Sequence, residues 1–391
     1  MIGVRPWFDR ARNQLGIPIV GQIFGISLVL MAIGAIFIYS ATSALAARDY
    51  GDSFYFVQEH FIRILLAIII GLTISAFDYH HFERISKWAF ATSLVTLALM
   101  LVLPESVVPR VNGARRWLDL PGLPRIQPSE IARIAVLVYL AAFISRKSEL
   151  ITDFRQGVLP AMIAGFSVAL VVLAGRDLGS ALTLGTLVWA LLWLGGARHR
   201  HMAASATVLL SLTAAAIYFS PYRWSRWLAH LRGDADPLGA GYHAKQSLIS
   251  LANGGWFGRG IGQSWQKYFY LPEAHTDFVF AIVGEEVGVI GASVVLSFYG
   301  GLAWLCIRAA RDAPDLFGRM LALGAALSLV LNTFLHAAVV SVLIPPTGIP
   351  MPLFSYGGTS LAATMLSLGI VMSVAARGKV ARAPARNRRQ G

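Results

Sequence analysis

The chain has 391 residues, 56% of them hydrophobic and 14% charged, with a mean hydropathy of +0.62. That is far too apolar for a soluble protein of this size and places it among polytopic membrane proteins. Much of the formal charge of +13 falls in short segments between apolar runs, where it reports orientation in a membrane; no nucleic-acid partner is expected. The single cysteine, Cys306, lies in an apolar run, so neither an intramolecular disulfide nor a cysteine-rich metal site is expected.

Residues 1–16 carry Arg5, Arg10 and Arg12, and an apolar run follows at about 17–40. Ala44-Leu45-Ala46 resembles a signal cleavage site, but the run is longer than a signal core and reads as a retained first helix. Further runs lie at about 57–77, 86–103, 128–144, 158–174, 178–195, 203–219, 278–307, 320–344 and 357–376. These make about ten spans, each near the ~20 residues a membrane helix needs. The predicted fold is therefore an all-α polytopic membrane protein, with one membrane domain over 1–376 and a basic, disordered tail over 377–391.

With the N-terminus inside, alternation puts Arg84 and Lys87, then Arg146, Lys147 and Arg155, then Arg198 and Arg200, then Arg308, Arg311 and Arg319, on the cytoplasmic side. The C-terminal tail joins them, so both termini are expected inside. Two sizeable loops, 104–127 and 220–276, fall outside and are also basic. Cations that the orientation rule does not require suggest an anionic ligand on that face.

The first outer loop and the helix after it read NGARRWLDLPGLPRIQPSEIARIAVL over 112–137. Asn112-Gly113 signals a turn, and Pro128 can open a helix beside Gln127 and Ser129. Glu130 and Arg133 then share one helix face, as a salt bridge at the membrane edge or as ligand contacts. Arg176 and Asp177 occupy a very short outer connection, where Asp177 reads either as a helix cap paired with arginine or as a functional acid. The second outer loop is rich in glycine, arginine, lysine, tryptophan and tyrosine, a composition that suits phosphate and sugar or simply a flexible loop. Asp277 closes it at the entry to an apolar helix. Partial desolvation favours a general-base role there, and a helix cap is equally open. Finally PPTGIPMPLFSYGGTS, over 345–360, precludes a regular helix and must fold over protein or line a cavity. His336, just before it, reads as a core histidine bonded to a neighbouring helix.

Four of these stretches resemble, in order, the motifs of the SEDS family of bacterial cell-wall polymerases. They are Asn112–Trp117 with Gln127–Glu130, Asp177-Leu178-Gly179, Ala274–Phe278, and Ser355–Gly358. The chain departs from the family at Arg133, usually lysine, at Gly175-Arg176, usually Gln-Pro, and at His336, Ala338 and Val342. Gly284-Glu285-Glu286 leans toward the FtsW and sporulation branch. The resemblance implies a multi-pass protein of the bacterial cytoplasmic membrane. It implies an inverting glycosyltransferase that polymerises lipid II on the outer face, with a class B penicillin-binding protein and other divisome or elongasome proteins as partners. Asp277 would be the base. Arg115, Arg116, Arg133 and Lys267 would face the pyrophosphate, Glu130 and Asp177 would orient those cations, and His275 and Thr276 complete the expected substrate contacts. No cofactor is required by the motifs, and a divalent ion, magnesium or manganese, remains open. A lipid II flippase or other polyprenyl-lipid transporter is the first alternative and a recruiting scaffold the second.

Overall fold

The computed structural model describes residues 18–111, 113–122, 124–232, 241–267, 271 and 275–382. Arg5, Arg10, Arg12, Ala274 and the end of the basic tail lie outside the described residues. The helices are α1 (Ile19–Tyr50), α2 (Tyr55–Ala76), α3 (His80–Val102), α4 (Pro128–Arg146), α5 (Leu159–Ala174) and α6 (Leu178–Leu194). They continue with α7 (His199–Tyr218), α8 (Pro221–Arg232), α9 (Tyr242–Gly254), α10 (Val279–Asp312), α11 (Leu316–Val340) and α12 (Gly358–Arg382). A short hairpin, β1 (Arg110–Val111) and β2 (Ala114–Arg115), stands between α3 and α4. Among the described residues nine helical segments are long and apolar enough to cross a membrane, and α6, with 17 residues, is a tenth apolar helix. The ten expected runs are thus all helical.

Two expectations about length need correction. Helix α1 does not end near residue 40 but runs to Tyr50, because the alanine-rich stretch that follows favours helix until Gly51 stops it at φ 73°. The second outer loop holds two helices. In α8, Pro221 occupies the first helical position, where its missing N–H costs nothing. Helix α9 packs on α10 and α11, with Ser250 Oγ donating to the Ala281 carbonyl at 2.8 Å and Ser247 Oγ to that of Val340 at 2.6 Å.

Helix α10 is the centre of the bundle and touches α1, α9, α11 and α12, while α2 lies along α12. It is also broken. Gly288 sits at φ 67°, ψ −172°, inside the helix. The carbonyls of Glu285 and Glu286 accept instead from the N–H groups of Arg259 and Gly260, at 3.0 and 2.9 Å. The N–H groups of Val289 and Ile290 donate to the carbonyls of Gly255 and Trp256, at 2.9 and 3.2 Å. A β-carbon at Gly288 would collide with the backbone of Gly258. The glycine-rich run after α9 therefore supplies two N–H groups and two carbonyls in place of the lost helical hydrogen bonds of α10.

The side chains of the two glutamates are buried at this break. Glu285 accepts from Ser264 Oγ at 2.5 Å and from the Trp265 N–H at 3.3 Å. Glu286 accepts from Ser40 Oγ and from the Ser264 N–H at 3.3 Å. At the end predicted to face the cytoplasm, Tyr79 donates to Asp315 and the His80 ring lies between Asp78 and Asp315, at 2.8 and 3.1 Å. Arg377 completes that group, 3.5 Å from Asp78. It ties the α2–α3 turn to the ends of α11 and α12.

Candidate active site

The opposite end of the bundle gathers the four motifs. The β1–β2 hairpin turns through Gly113, at φ 76°, and pairs Arg110 with Arg115 and Val111 with Ala114. The Arg115 N–H donates to the Gly175 carbonyl at 3.0 Å, which docks the hairpin on the α5–α6 connection. The Arg115 guanidinium points elsewhere. Its Nη1 donates to the carbonyls of Met100, Leu101 and Leu103 at 3.2, 2.8 and 3.0 Å, satisfying the C-terminal end of α3. Its neighbour Arg116 turns inward, with Nε 3.6 Å from Asp177 Oδ2. Asp177 is the helix cap paired with arginine that the sequence allowed, since its Oδ1 caps α6 by accepting from the Ser180 N–H at 3.1 Å.

Asp277 is half-buried in the turn before α10. The helix starts at Val279 with Phe278 at its N-cap position, one residue later than expected, so Asp277 stands outside the cap. Gly348 brings it to Arg116. This residue, at φ 72°, lies in the irregular run between α11 and α12, and a β-carbon on it would sit 2.8 Å from Arg116 Nη1 and 3.4 Å from Asp277 Oδ2. A side chain would separate the two charges.

The run is held in place by its own hydrogen bonds. The Tyr356 N–H donates to the His275 carbonyl at 3.0 Å, and the Met351 N–H to Ser355 Oγ at 2.9 Å. His336 Nδ1 lies 2.9 Å from the Ile349 carbonyl, so this buried histidine is bonded to the run and not, as expected, to a neighbouring helix. The His275 ring packs between Phe56 and Tyr356, with centroids at 5.6 and 5.5 Å, and Thr276 is half-buried beside it.

The remaining expected residues lie apart from this meeting point. Glu130 and Arg133 are buried one turn apart on α4, with Arg133 Nη2 2.7 Å from Glu130 Oε2 and Nη1 3.4 Å from Oε1. Arg133 faces the interior, against Asn332 and Thr364 of α11 and α12. Lys267 turns back on its own loop and donates to the Gly262 carbonyl. A gap just large enough for about one water lies beside Arg116, lined also by Arg115, Ser129, Gly175 and Asp177. Ser129 Oγ and Arg116 Nε have no hydrogen-bond partner there among the described residues.

A further polar group next to the site was not anticipated from the sequence. Glu59 Oε2 accepts from Arg63 Nη2 and from the Tyr356 hydroxyl, both at 2.7 Å, and the Arg63 guanidinium lies 4.1 Å from the Tyr356 ring centre. Burial and the Glu59 hydrogen bond both hold the Tyr356 phenol well above its ordinary range, so it stays a donor. The signal was present. Glu59 and Arg63 are ionisable residues spaced i, i+4 at the mouth of an apolar run.

Residues 21–380 match the cell cycle protein family of FtsW, RodA and SpoVE. Stage V sporulation protein E of Bacillus subtilis (strain 168) is 37% identical over 349 residues, which cover 89% of this chain and 94% of that protein. A protein of Geobacter sp. (strain M18), named probable peptidoglycan glycosyltransferase FtsW, is 37% identical over 354 residues, covering 90% and 95%. A chain from a solved peptidoglycan synthase complex, described as coordinating polymerization and crosslinking, superposes with a TM-score of 0.74 at 26% identity, covering 91% of this chain and 97% of its own. With matches that span nearly its whole length and four motifs meeting at one end of the bundle, the chain belongs to the FtsW/RodA/SpoVE family of membrane cell cycle proteins.

Proposed function

We propose that the chain is a peptidoglycan glycosyltransferase that polymerises lipid II on the outer face of the cytoplasmic membrane, with both termini inside. One observation carries the reading: Arg116, held near Asp177, and Asp277 are brought together at Gly348, at the end of the bundle that the basic-residue pattern assigns to the outside. A cation beside a half-buried carboxylate is what transfer from a pyrophosphate-linked sugar needs. In this mechanism Asp277 accepts the proton of the acceptor hydroxyl as that oxygen bonds to the anomeric carbon of the donor. The bond from that carbon to the pyrophosphate breaks, the electron pair leaves with undecaprenyl pyrophosphate, and configuration at the carbon inverts. Arg116 stabilises the charge developing on the leaving group. Asp177 orients Arg116, and Glu130 with Arg133 supports the helix from within.

Among the described residues no three acidic, histidine or cysteine side chains converge into a metal cage. A magnesium-type ion needs only one or two carboxylates when phosphate oxygens supply the rest, and Asp277 is the carboxylate that would hold it. Such an ion would add neutralising charge at the leaving group. By analogy with the synthase complex, we extend to this chain a crosslinking partner of the class B penicillin-binding type. The transporter alternative calls for working charges deep between helices. Among the described residues Glu130 is paired with Arg133, and Glu285 and Glu286 accept hydrogen bonds at the break in α10. The experiment that tests the function is polymerisation of purified lipid II by the chain with a partner lacking any glycosyltransferase domain. Glycan strands are expected, and flipping of lipid II without strands would favour the transporter.

A further inference from the structure

We infer that Glu59 of α2 is a positioning residue for the reaction proposed above, holding the Asp277 turn through the Tyr356 side chain and the His275 carbonyl. The role rests on Asp277 being the base, and it gives the buried polar group on α2 a part in the chemistry without contact with the substrate.

The run between α11 and α12 meets the Asp277 turn twice. Gly348 lies against Asp277 and Arg116, and further along the Tyr356 N–H donates to the His275 carbonyl at 3.0 Å. Between these contacts the bundle fixes the run. Met351, Leu353 and Phe354 are buried, Phe354 stacks on Phe37 of α1 with ring centroids 6.0 Å apart, and the Pro352 carbonyl accepts from the Tyr299 hydroxyl at 2.5 Å. From Tyr356 to Thr359 the chain is only half-buried, and Gly357 and Gly358 follow Tyr356 directly. Glycine restrains a backbone least, so the second contact depends on what holds the Tyr356 side chain.

Helix α2 holds it. The Tyr356 hydroxyl donates to Glu59 Oε2 at 2.7 Å, a charge-assisted bond, and Arg63 Nη2 donates to the same oxygen at 2.7 Å. The Arg63 guanidinium lies 4.1 Å from the Tyr356 ring centre, and Phe56 meets that ring edge-on at 5.6 Å. A β-carbon on Gly358 would sit 3.2 Å from Arg63 Cδ, so the arginine stem crosses the start of α12 where only glycine leaves room. The His275 ring fits between Phe56 and Tyr356. Releasing Tyr356 from Glu59 therefore opens one side of His275 and loosens the hydrogen bond to its carbonyl, two residues before Asp277. The Glu59–Arg63 pair is closed within α2, at i, i+4, and survives loss of the tyrosine hydroxyl. Positioning can thus be separated from support of the helix.

The test compares wild type, Tyr356→Phe, Glu59→Ala and Glu59→Gln, each purified with a crosslinking partner that lacks a glycosyltransferase domain. Amide hydrogen exchange is followed across residues 353–360, with lipid II polymerisation kinetics on the same preparations. Tyr356→Phe and Glu59→Ala are expected to lose about tenfold of the exchange protection at residue 356 and about tenfold in kcat, with KM within about twofold. Melting, and exchange in α1 and α11, should stay near wild type. Glu59→Gln should restore both readouts. The two 2.7 Å bonds fall on Oε2, which the amide oxygen replaces, and the Tyr55 hydroxyl, 3.2 Å from Oε1, can accept from the amide nitrogen. Unchanged protection in Tyr356→Phe overturns the link from Glu59 to the turn. Lost protection with normal kcat overturns the positioning role, as does a fall in melting and in protection of every helix that tracks the fall in rate. Absence of polymerisation by wild type overturns the proposed activity instead, and the exchange measurement still decides whether Glu59 holds the His275 contact.

Discussion

Arg116 Nη1 and Asp277 Oδ2 approach each other over the bare α-carbon of Gly348, at 2.8 and 3.4 Å from where a β-carbon would be. An irregular run between two membrane helices thus lies between a carboxylate and a cation. Replacing Gly348 by alanine both strains a backbone at φ 72° and pushes Arg116 aside. A displacement of about 1 Å in such a constellation costs on the order of 10²-fold in rate. Gly348→Ala is expected to lose polymerisation to that degree while folded yield by size-exclusion chromatography holds; near-normal kcat would show that the spacing is unimportant.

Adjacent arginines of the first outer loop are expected to behave differently. Arg115→Ala strands the carbonyls of Met100, Leu101 and Leu103 at the end of α3 and should lower the melting temperature by an amount equivalent to about 1–3 kcal/mol. Activity per folded molecule should persist. Arg116→Ala should lower melting less than Arg115→Ala and should lower kcat and kcat/KM for lipid II. A thermal melt and a substrate titration on the same preparations decide it, and the reverse pattern would mean that the two guanidiniums have been assigned the wrong way round.

The Glu130–Arg133 pair is buried on both sides, so removing one partner leaves a lone charge inside the bundle. Arg133→Leu is expected to destabilise by about 3–5 kcal/mol. Arg133→Lys keeps one short bond, because only one of the two existing contacts, at 2.7 Å, is short. It should retain most activity. If Arg133→Lys folds and is inactive, the planar fork touches substrate and the pair is not a support.

At the break in α10, Gly288→Ala would drive a methyl group into the backbone of the 254–260 run. Loss of folded protein is expected, read as aggregation in detergent chromatography. A stable, active Gly288→Ala protein would show that the exchange of hydrogen bonds between α10 and this run is dispensable.

The ten apolar helices could be read from the sequence because a bilayer fixes the length of each run. Asp177, Asp277 and Arg116 could be read because charges at the mouths of such runs are rare. What escaped depends on partners distant in sequence. Nothing near Arg115 says that it will cap carbonyls at 100–103, and nothing near Gly258 says that it will lie against Gly288. Helices α8 and α9 escaped for a local reason, since Gly, Pro and mixed polar residues around them read as a loop. Glu59 and Arg63 were missed although their spacing was visible, because no motif drew the eye to α2.

The central claim is that Asp277 is the base of a polymerase, and one comparison tests it. Wild type and Asp277→Asn, each purified with a crosslinking partner that lacks a glycosyltransferase domain, are given lipid II at equal folded concentration, and glycan strands are resolved by gel. Strands from wild type and none from Asp277→Asn are predicted. Strands of equal yield from both would contradict the account, leaving the carboxylate beside Arg116 without a part in the chemistry.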